Sequence, residues 1–498
     1  MSGSPLLMQR ALDHGTRVAF TEANGHVTYA QLLERSEAIA ATLLSGASDL
    51  DEQRIAFATP AGSDYAAIQW GIWRAGGIAV PLNIHATTGE LQHCTSAAGV
   101  TILVTLSELR EQLAPLCEAQ GINLICLDQL SLEQRCTLPE LDLSRRAMII
   151  FTSGTTSKPK GVVTTHGNIQ AQVTTLIDSW QWRREDVIPL FLPMHHVHGI
   201  INVMTCALWA GATVDAYDDG FDLPRVCQRV SEHAYTVFMA VPTIYVKLIQ
   251  ALEQMDPAEK AATCAGFAAM RLMVSGSAAL PVTIHQQWHQ LTGQVLLERY
   301  GMTEIGMALS NPYDGERRPG CVGMPLPGVA VELHDEEGQV VTAEGEPGQI
   351  WVQGRNVFLE YWQNPKATEE SFTRQWFHTG DVAVLEDGYY RIMGRQSVDI
   401  IKSGGYKLSA LEIENVLLDH PAIAECAVVG AEDPTWGELV AAALVIRHGH
   451  TLTREALADW ASEKMSAYKI PRKLVFVEDL PRNAMGKVIK AEVAALVR

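Results

Sequence analysis

The sequence lacks any CxxC pair. Its nine cysteines are scattered over 498 residues, so neither a zinc site nor a disulfide framework is expected. Their odd number, with no secretion signal, fits a reducing compartment. Positive charge is in deficit: 38 Lys and Arg face 57 Asp and Glu, for a formal net charge of −19. That balance argues against a nucleic-acid or anionic-membrane partner. Any anionic ligand must instead be met by local cations and backbone donors. No apolar run is long enough to span a bilayer; the longest, near residues 199–214, is interrupted by Asn202 and Thr205. The first ten residues have no basic region followed by an apolar core, so no signal peptide is expected. Internal repeats and low-complexity tracts are also missing. These absences point to a cytoplasmic protein, or one of an organelle matrix.

What remains is an ordinary globular composition, 47% apolar and 19% charged. The chain is too long for one hydrophobic core, and two or three domains are expected. Helical and strand patterns alternate up to about residue 395, which reads as α/β. Short buried strands are expected within residues 75–83, 235–242 and 271–275. From Cys321 to Arg395 the pattern shifts to short strands and tight turns, with hairpin signals at Asp335-Glu-Glu-Gly338 and Glu386-Asp-Gly388. A small antiparallel, barrel-like unit is expected there. After it, roughly 100 residues suit a small α+β domain. The expected division is 1–395 and 396–498.

The segment Phe151-Thr-Ser-Gly-Thr-Thr-Ser-Lys-Pro-Lys-Gly161 holds five hydroxyls, two glycines and two lysines in eleven residues. It follows an apolar run, residues 147–151, that reads as a buried strand. A strand feeding such a loop is a phosphate cradle: glycine lets backbone N–H groups approach, hydroxyls donate, and lysine brings charge. The Gly-Lys-Ser/Thr ending of a Walker A loop is absent.

Other constellations are weaker alone. Tyr300-Gly-Met-Thr-Glu304 follows a strand-like run and could stack a purine, bond a phosphate and hold Mg²⁺; equally, its Thr-Glu could cap a helix. His378-Thr-Gly-Asp381 places a carboxylate after a glycine turn, where it can accept two ribose hydroxyls or merely close the turn. Gly394-Arg395 lies 13 residues beyond Asp381. In Pro481-Arg-Asn-Ala-Met-Gly-Lys487 the lysine could be functional or simply solvated. Pro193-Met-His-His-Val-His-Gly199 invites a metal reading, but its spacing does not suit structural zinc and no cysteine or carboxylate lies near in sequence.

In this order the segments resemble the adenylate-forming superfamily of acyl- and aryl-CoA synthetases, adenylation domains and luciferases. The resemblance covers essentially the whole chain. It implies a large multi-subdomain N-terminal part and a small mobile C-terminal lid. It implies that Thr152, Ser153, Gly154, Thr155, Thr156 and Lys160 hold the ATP phosphates, with Ser277, Ala278, Arg299, Gly301 and Met302 also on the nucleotide. Tyr300 would stack on adenine, Thr303 touch the α-phosphate, Glu304 and Thr156 bind Mg²⁺, and Asp381 and Arg395 hold the ribose. Lys487 would join carboxylate and α-phosphate, and His196 would border the acid pocket and thiol tunnel. Two half-reactions follow: adenylation of an acid with loss of pyrophosphate, then thiolysis with release of AMP. The lid would turn about Ser397, where the superfamily more often has Asp or Lys, and bring Ser403, Gly404, Gly405 and Tyr406 to the CoA tunnel.

Within the superfamily the resemblance runs to malonyl-CoA and methylmalonyl-CoA synthetases, through residues 271–281, 297–312 and 399–407. A dicarboxylic acid needs its second carboxylate paired, since burying it bare costs several kcal/mol. Lys247 and Ser277 are the expected contacts, with His198 and Met307 lining a small pocket; Lys247 could instead face solvent. Alternatives are a CoA ligase for another short-chain or aryl acid, an enzyme loading a carrier-protein thiol in trans, and a non-catalytic nucleotide sensor. No carrier-like domain follows Arg498, so a carrier is expected to be loaded at most in trans.

Overall fold

The computed structural model describes residues 6–130, 135–152, 159–403, 406–433, 436–482 and 488–497. Among the described residues four sheets build the large part. In the seven-stranded sheet the parallel strands Asn123–Cys126, Ile102–Thr105, Arg54–Ala58, Ile78–Pro81 and Arg146–Thr152 lie side by side. The antiparallel strand Lys160–Thr165 and the short Glu360–Tyr361 complete it. The phosphate-cradle residues therefore join two paired strands, with Thr152 opposite Lys160. The strand expected at 147–151 is Arg146–Thr152, and its centre is buried.

The second sheet carries most of the site. Val237–Ala240, Leu272–Ser275 and Leu297–Met302 run parallel, then Gly306–Ser310 returns antiparallel. The apolar run at 235–242 divides at Pro242, which opens a helix at its first position, where a missing N–H does no harm. A third sheet pairs Val18–Glu22 with Gly25–Thr28 and Thr213–Ala216.

The antiparallel unit expected from Cys321 to Arg395 is present. Its strands Val329–His334, Gly348–Gly354, Trp376–Glu386 and Tyr389–Arg395 pair in sequence. Asp387 and Gly388 both have positive φ, 49° and 80°. That is the two-residue turn whose twist matches paired strands. Beyond Arg395 a turn leads to Ile400–Ser403, and Ser397 lies in that turn. The turn closes only on glycine: a Cβ on Gly394, at φ 127°, would stand 2.4 Å from Asp399 Cβ. The small C-terminal part packs the helices Ala410–Leu418, Arg454–Ser462 and Lys490–Leu496 with a sheet built around Ile423–Asp433 and Gly437–Ile446.

The apolar stretch at 199–214 folds in a way its composition does not announce. Residues His198–Thr205 form a π-helix, followed by the α-helix Cys206–Ala210. The Thr205 hydroxyl donates to the Ile200 carbonyl five residues back, at 2.7 Å. Gly199 is required at its start, because a Cβ would lie 2.8 Å from the Pro193 carbonyl oxygen. Extended π-helix is rare and concentrates at functional sites.

Candidate active site

Three groups of side chains meet along the end of the Leu297–Met302 strand and the residues after it. The first joins Tyr300, Asp381 and Arg395. The Tyr300 hydroxyl donates to Asp381 Oδ2 at 2.6 Å, and Arg395 Nε donates to Asp381 Oδ1 at 2.9 Å. Asp381 pairs with Arg395 across neighbouring strands of the antiparallel unit, which fixes their approach. Burial, then the Asp381 charge, pushes the Tyr300 phenol well up, so it stays a proton donor.

The second group surrounds Glu304, which is buried. Tyr361 donates its hydroxyl to Glu304 Oε1 at 2.9 Å, and Lys160 Nζ lies 4.8 Å from the centre of the Tyr361 ring. Burial raises the Glu304 carboxyl above its usual range, against smaller opposing effects of Tyr361, Arg395 and Lys160. A buried carboxylate with a neutral partner suits a bound cation. No cluster of three or more metal-ligating side chains occurs among the described residues. The buried Glu304 carboxylate suits Mg²⁺, which takes one or two carboxylates and draws its other ligands from phosphate and water.

The third group lies at Ser277, His198 and Arg299. The Ser277 hydroxyl is 3.2 Å from His198 Nδ1 and 3.3 Å from Arg299 Nη2. Ser277 has φ 69°, a left-handed conformation that non-glycine residues hold only where their surroundings impose it. Gly276 beside it cannot carry a side chain, since a Cβ would stand 2.5 Å from Arg299. Arg299 is buried, and among the described residues no carboxylate pairs with it. Burial lowers its guanidinium to about 10. Arg299 Nε and His198 Nε2 have no hydrogen-bond partner. Burial drives His198 well below the ordinary imidazole value, with the Arg299 charge adding to the effect, so it is neutral at pH 7. Met307, buried in the Gly306–Ser310 strand, reaches Gly301: a Cβ there would stand 2.5 Å from Met307 Cε.

Lys247, expected to pair a second carboxylate, is solvent-exposed on the helix Pro242–Gln254. Its neighbours Tyr245 and Leu248 face the core instead. An exposed lysine pairs weakly in water; the buried, uncompensated cation is Arg299. Successive strand residues point to opposite faces, which turns Arg299 away from Tyr300 and toward Ser277. The sequence reading had put Arg299 with the nucleotide.

His195 and His196 lie ring against ring, 4.2 Å between centres, and burial lowers His195 to about 3. Ala278 is exposed beside Ser277, and Met302 and Thr303 are partly exposed. Ser403 is buried, while Tyr406 is exposed and stacks on Tyr468 at 4.7 Å. Lys402 and Lys407, which flank them, both reach Glu336 Oε1 at 2.9 Å. Ser153, Gly154, Thr155, Thr156, Gly404, Gly405 and Lys487 lie outside the described residues. Tyr361 was missed from sequence; it is 57 residues from Glu304, and nothing local marks it.

The AMP-binding enzyme family matches residues 7–362, and the AMP-binding enzyme C-terminal domain matches residues 412–487. The mitochondrial malonate–CoA ligase ACSF3 of Mus musculus is 42% identical over 98% of this chain and 90% of its own length. The crystal structure of ATP-bound MatB from Rhodopseudomonas palustris superposes with a TM-score of 0.88 at 31% identity, covering 100% of this chain and 99% of that one. The apo form of the same protein, with the same coverage and identity, gives 0.80.

Proposed function

Because this chain belongs to the AMP-binding enzyme family, we propose that it is an ATP-dependent acid–thiol ligase that converts malonate to malonyl-CoA. In the first half-reaction one malonate carboxylate oxygen attacks the α-phosphorus of ATP. The α–β phosphoanhydride bond breaks, leaving malonyl-adenylate and pyrophosphate. In the second, the CoA thiol attacks the acyl carbon, the thiol proton goes to solvent, and AMP leaves.

The observation that carries the substrate assignment is Arg299, a buried cation with no carboxylate partner and a free Nε, beside Ser277 and neutral His198. A buried charge is stable when paired. The distal carboxylate of malonate completes that pair, and His198 Nε2–H is a further donor to it, its tautomer held by the Ser277 hydroxyl on Nδ1. An acid without a second carboxylate leaves Arg299 bare.

The nucleotide sits on the Tyr300–Asp381–Arg395 group, with Asp381 accepting from ribose and Arg395 reaching ribose and phosphate. Thr152 and Lys160 frame the phosphate cradle, and Thr303 meets the α-phosphate. Glu304 and Thr156 would hold Mg²⁺, which supplies charge neutralisation on the phosphates. Lys487 brings its cation to the reacting carboxylate and phosphate. Electrostatic positioning of this kind is the main lever in such transfers. His196 borders the thiol path, and the 403–406 segment reaches it when the lid turns at Ser397. The chemistry needs ATP and CoA, which fits the cytoplasm or an organelle matrix, the latter in keeping with the mitochondrial relative.

The test is AMP release by the purified protein with ATP, Mg²⁺ and CoA, comparing malonate, methylmalonate, succinate, acetate and octanoate. Malonate is expected to give the highest kcat/KM. Acetate or octanoate in first place would overturn the substrate assignment and leave the two-step chemistry standing.

A further inference from the structure

Two polar residues interrupt the longest apolar stretch of the chain, and the fold treats them differently. Thr205 is satisfied locally by the Ile200 carbonyl, at 2.7 Å. Asn202 is 1% exposed, and among the described residues its amide nitrogen has no hydrogen-bond partner. Its chain neighbours Ile200, Ile201, Val203 and Met204 are all buried and apolar. A buried donor left unpaired is costly, and native interiors rarely keep one without a ligand or water to receive it.

The π-helix gives Asn202 a direction. With an i→i+5 hydrogen-bond pattern the helix turns once in a little over four residues. Residues four apart therefore fall close to the same face. Asn202 is four residues after His198, the first residue of this π-helix. His198 faces Ser277 at 3.2 Å, and its Nε2 is also without a partner. The unpartnered atoms of His198 and Asn202 thus lie one turn apart along one wall, and Arg299 Nε stands unpartnered beside Ser277. An ordinary α-helix would also keep i+4 on the face of i, so the two residues share a face in either geometry, and Gly199 and the Thr205 bond mark the wider turn found here.

We propose that Asn202 is a specificity-determining residue of this enzyme, donating its amide N–H to the distal carboxylate that Arg299 pairs. A carboxylate has about four acceptor sites. Arg299, His198 and Asn202 supply donors for them from a strand and the π-helix, and the Ser277 hydroxyl orients His198 through Nδ1. Arg299 provides the charge; Asn202 provides a donor at fixed depth, which a monocarboxylic acid leaves unmet. This inference rests on the malonate reading above.

The test compares wild type with Asn202→Leu, which keeps the volume and removes the amide. For malonate, kcat/KM is expected to fall at least about tenfold, mostly through KM, while acetate changes by less than about twofold. Asn202→Gln keeps the amide at a longer reach and is expected to recover part of the loss. As a binding readout, malonate should no longer raise the Tm of Asn202→Leu, whereas ATP should still do so, showing the variant to be folded. An equal fall for malonate and acetate would make Asn202 a structural residue and overturn the proposal; so would an unchanged malonate KM. Wild type preferring a monocarboxylic acid would show that the malonate reading itself had failed, before any variant is made.

Discussion

The Tyr300 hydroxyl donates to Asp381 at 2.6 Å, while Arg395 grips the other oxygen of the same carboxylate at 2.9 Å. Tyr300 lies within the Leu297–Met302 strand of the second sheet and Asp381 in the antiparallel unit, so one carboxylate joins the ring proposed to stack on adenine and the cation proposed for ribose and phosphate across two subdomains. Tyr300→Phe keeps the ring and removes the donor. It is expected to raise the KM for ATP about tenfold to a hundredfold, the range for a hydrogen bond to a charged group. The KM for malonate should stay within about twofold. Steady-state AMP release with each substrate varied in turn measures both.

Arg299 and Lys247 offer a sharper contrast. Both carry positive charge, but Arg299 is buried and Lys247 exposed. Arg299→Met is expected to lower kcat/KM for malonate by about a hundredfold or more, because it removes a desolvated charge partner. It should not lower Tm, since the free enzyme then no longer buries a bare cation. Lys247→Met is expected to change malonate kinetics by less than about twofold. A panel with malonate and acetate, plus a thermal melt of each variant, decides between them.

The difference between these two residues also shows where a sequence stops speaking. The phosphate cradle and Tyr300-Gly-Met-Thr-Glu304 are contiguous, so their chemistry is legible in one line. Strand and hairpin patterns likewise identified the antiparallel unit, because Asp387 and Gly388 announce their own turn. Whether a cation is buried is a tertiary property. Arg299 gains its isolation from the strand alternation that separates it from Tyr300 and from Gly276, which leaves room for its guanidinium. Tyr361 meets Glu304 because a two-residue strand docks on the far sheet, and no local pattern encodes that. The π-helix was hidden for the same reason: an apolar run of this length looks identical as α-helix.

Glu336 sits on the hairpin between Val329–His334 and Gly348–Gly354, and one of its oxygens takes both Lys402 and Lys407 at 2.9 Å. Those lysines flank the segment proposed to reach the thiol path. They also line a cavity of about 400 Å³ together with Glu336, Trp351 and Gln396. Their paired charges pull the Glu336 carboxyl down to about 2. In this arrangement the segment is tied to the antiparallel unit, and the proposed turn of the lid requires these pairs to break. Glu336→Gln is expected to speed thiolysis of supplied malonyl-adenylate about twofold to fivefold relative to adenylation, and added salt should do the same to wild type. Lys487→Ala should do something different, abolishing adenylation and sparing thiolysis. Single-turnover rates of the two half-reactions, measured separately, distinguish these outcomes.

Glu298, next to Arg299 on the same strand, gives a pH dependence of known sign. Burial raises its carboxyl to about 8, against a smaller opposing hydrogen bond from the Gly320 N–H at 2.8 Å. In the folded protein the group therefore keeps its proton at neutral pH, while in the unfolded chain it ionises near its ordinary value. A folded-state pKa raised in this way contributes stability that is full below about 4.5 and lost as pH rises to about 8. Wild-type Tm is thus expected to fall across that window on account of this group, by the equivalent of a few kcal/mol at most. Glu298→Gln keeps an oxygen for the Gly320 N–H and cannot ionise. It should match wild type near pH 5 and melt several degrees higher at pH 8 to 9. Thermal melts of both proteins from pH 5 to 9 give the answer: parallel curves would mean that Glu298 is already ionised in the fold, and a widening gap that it carries its proton there.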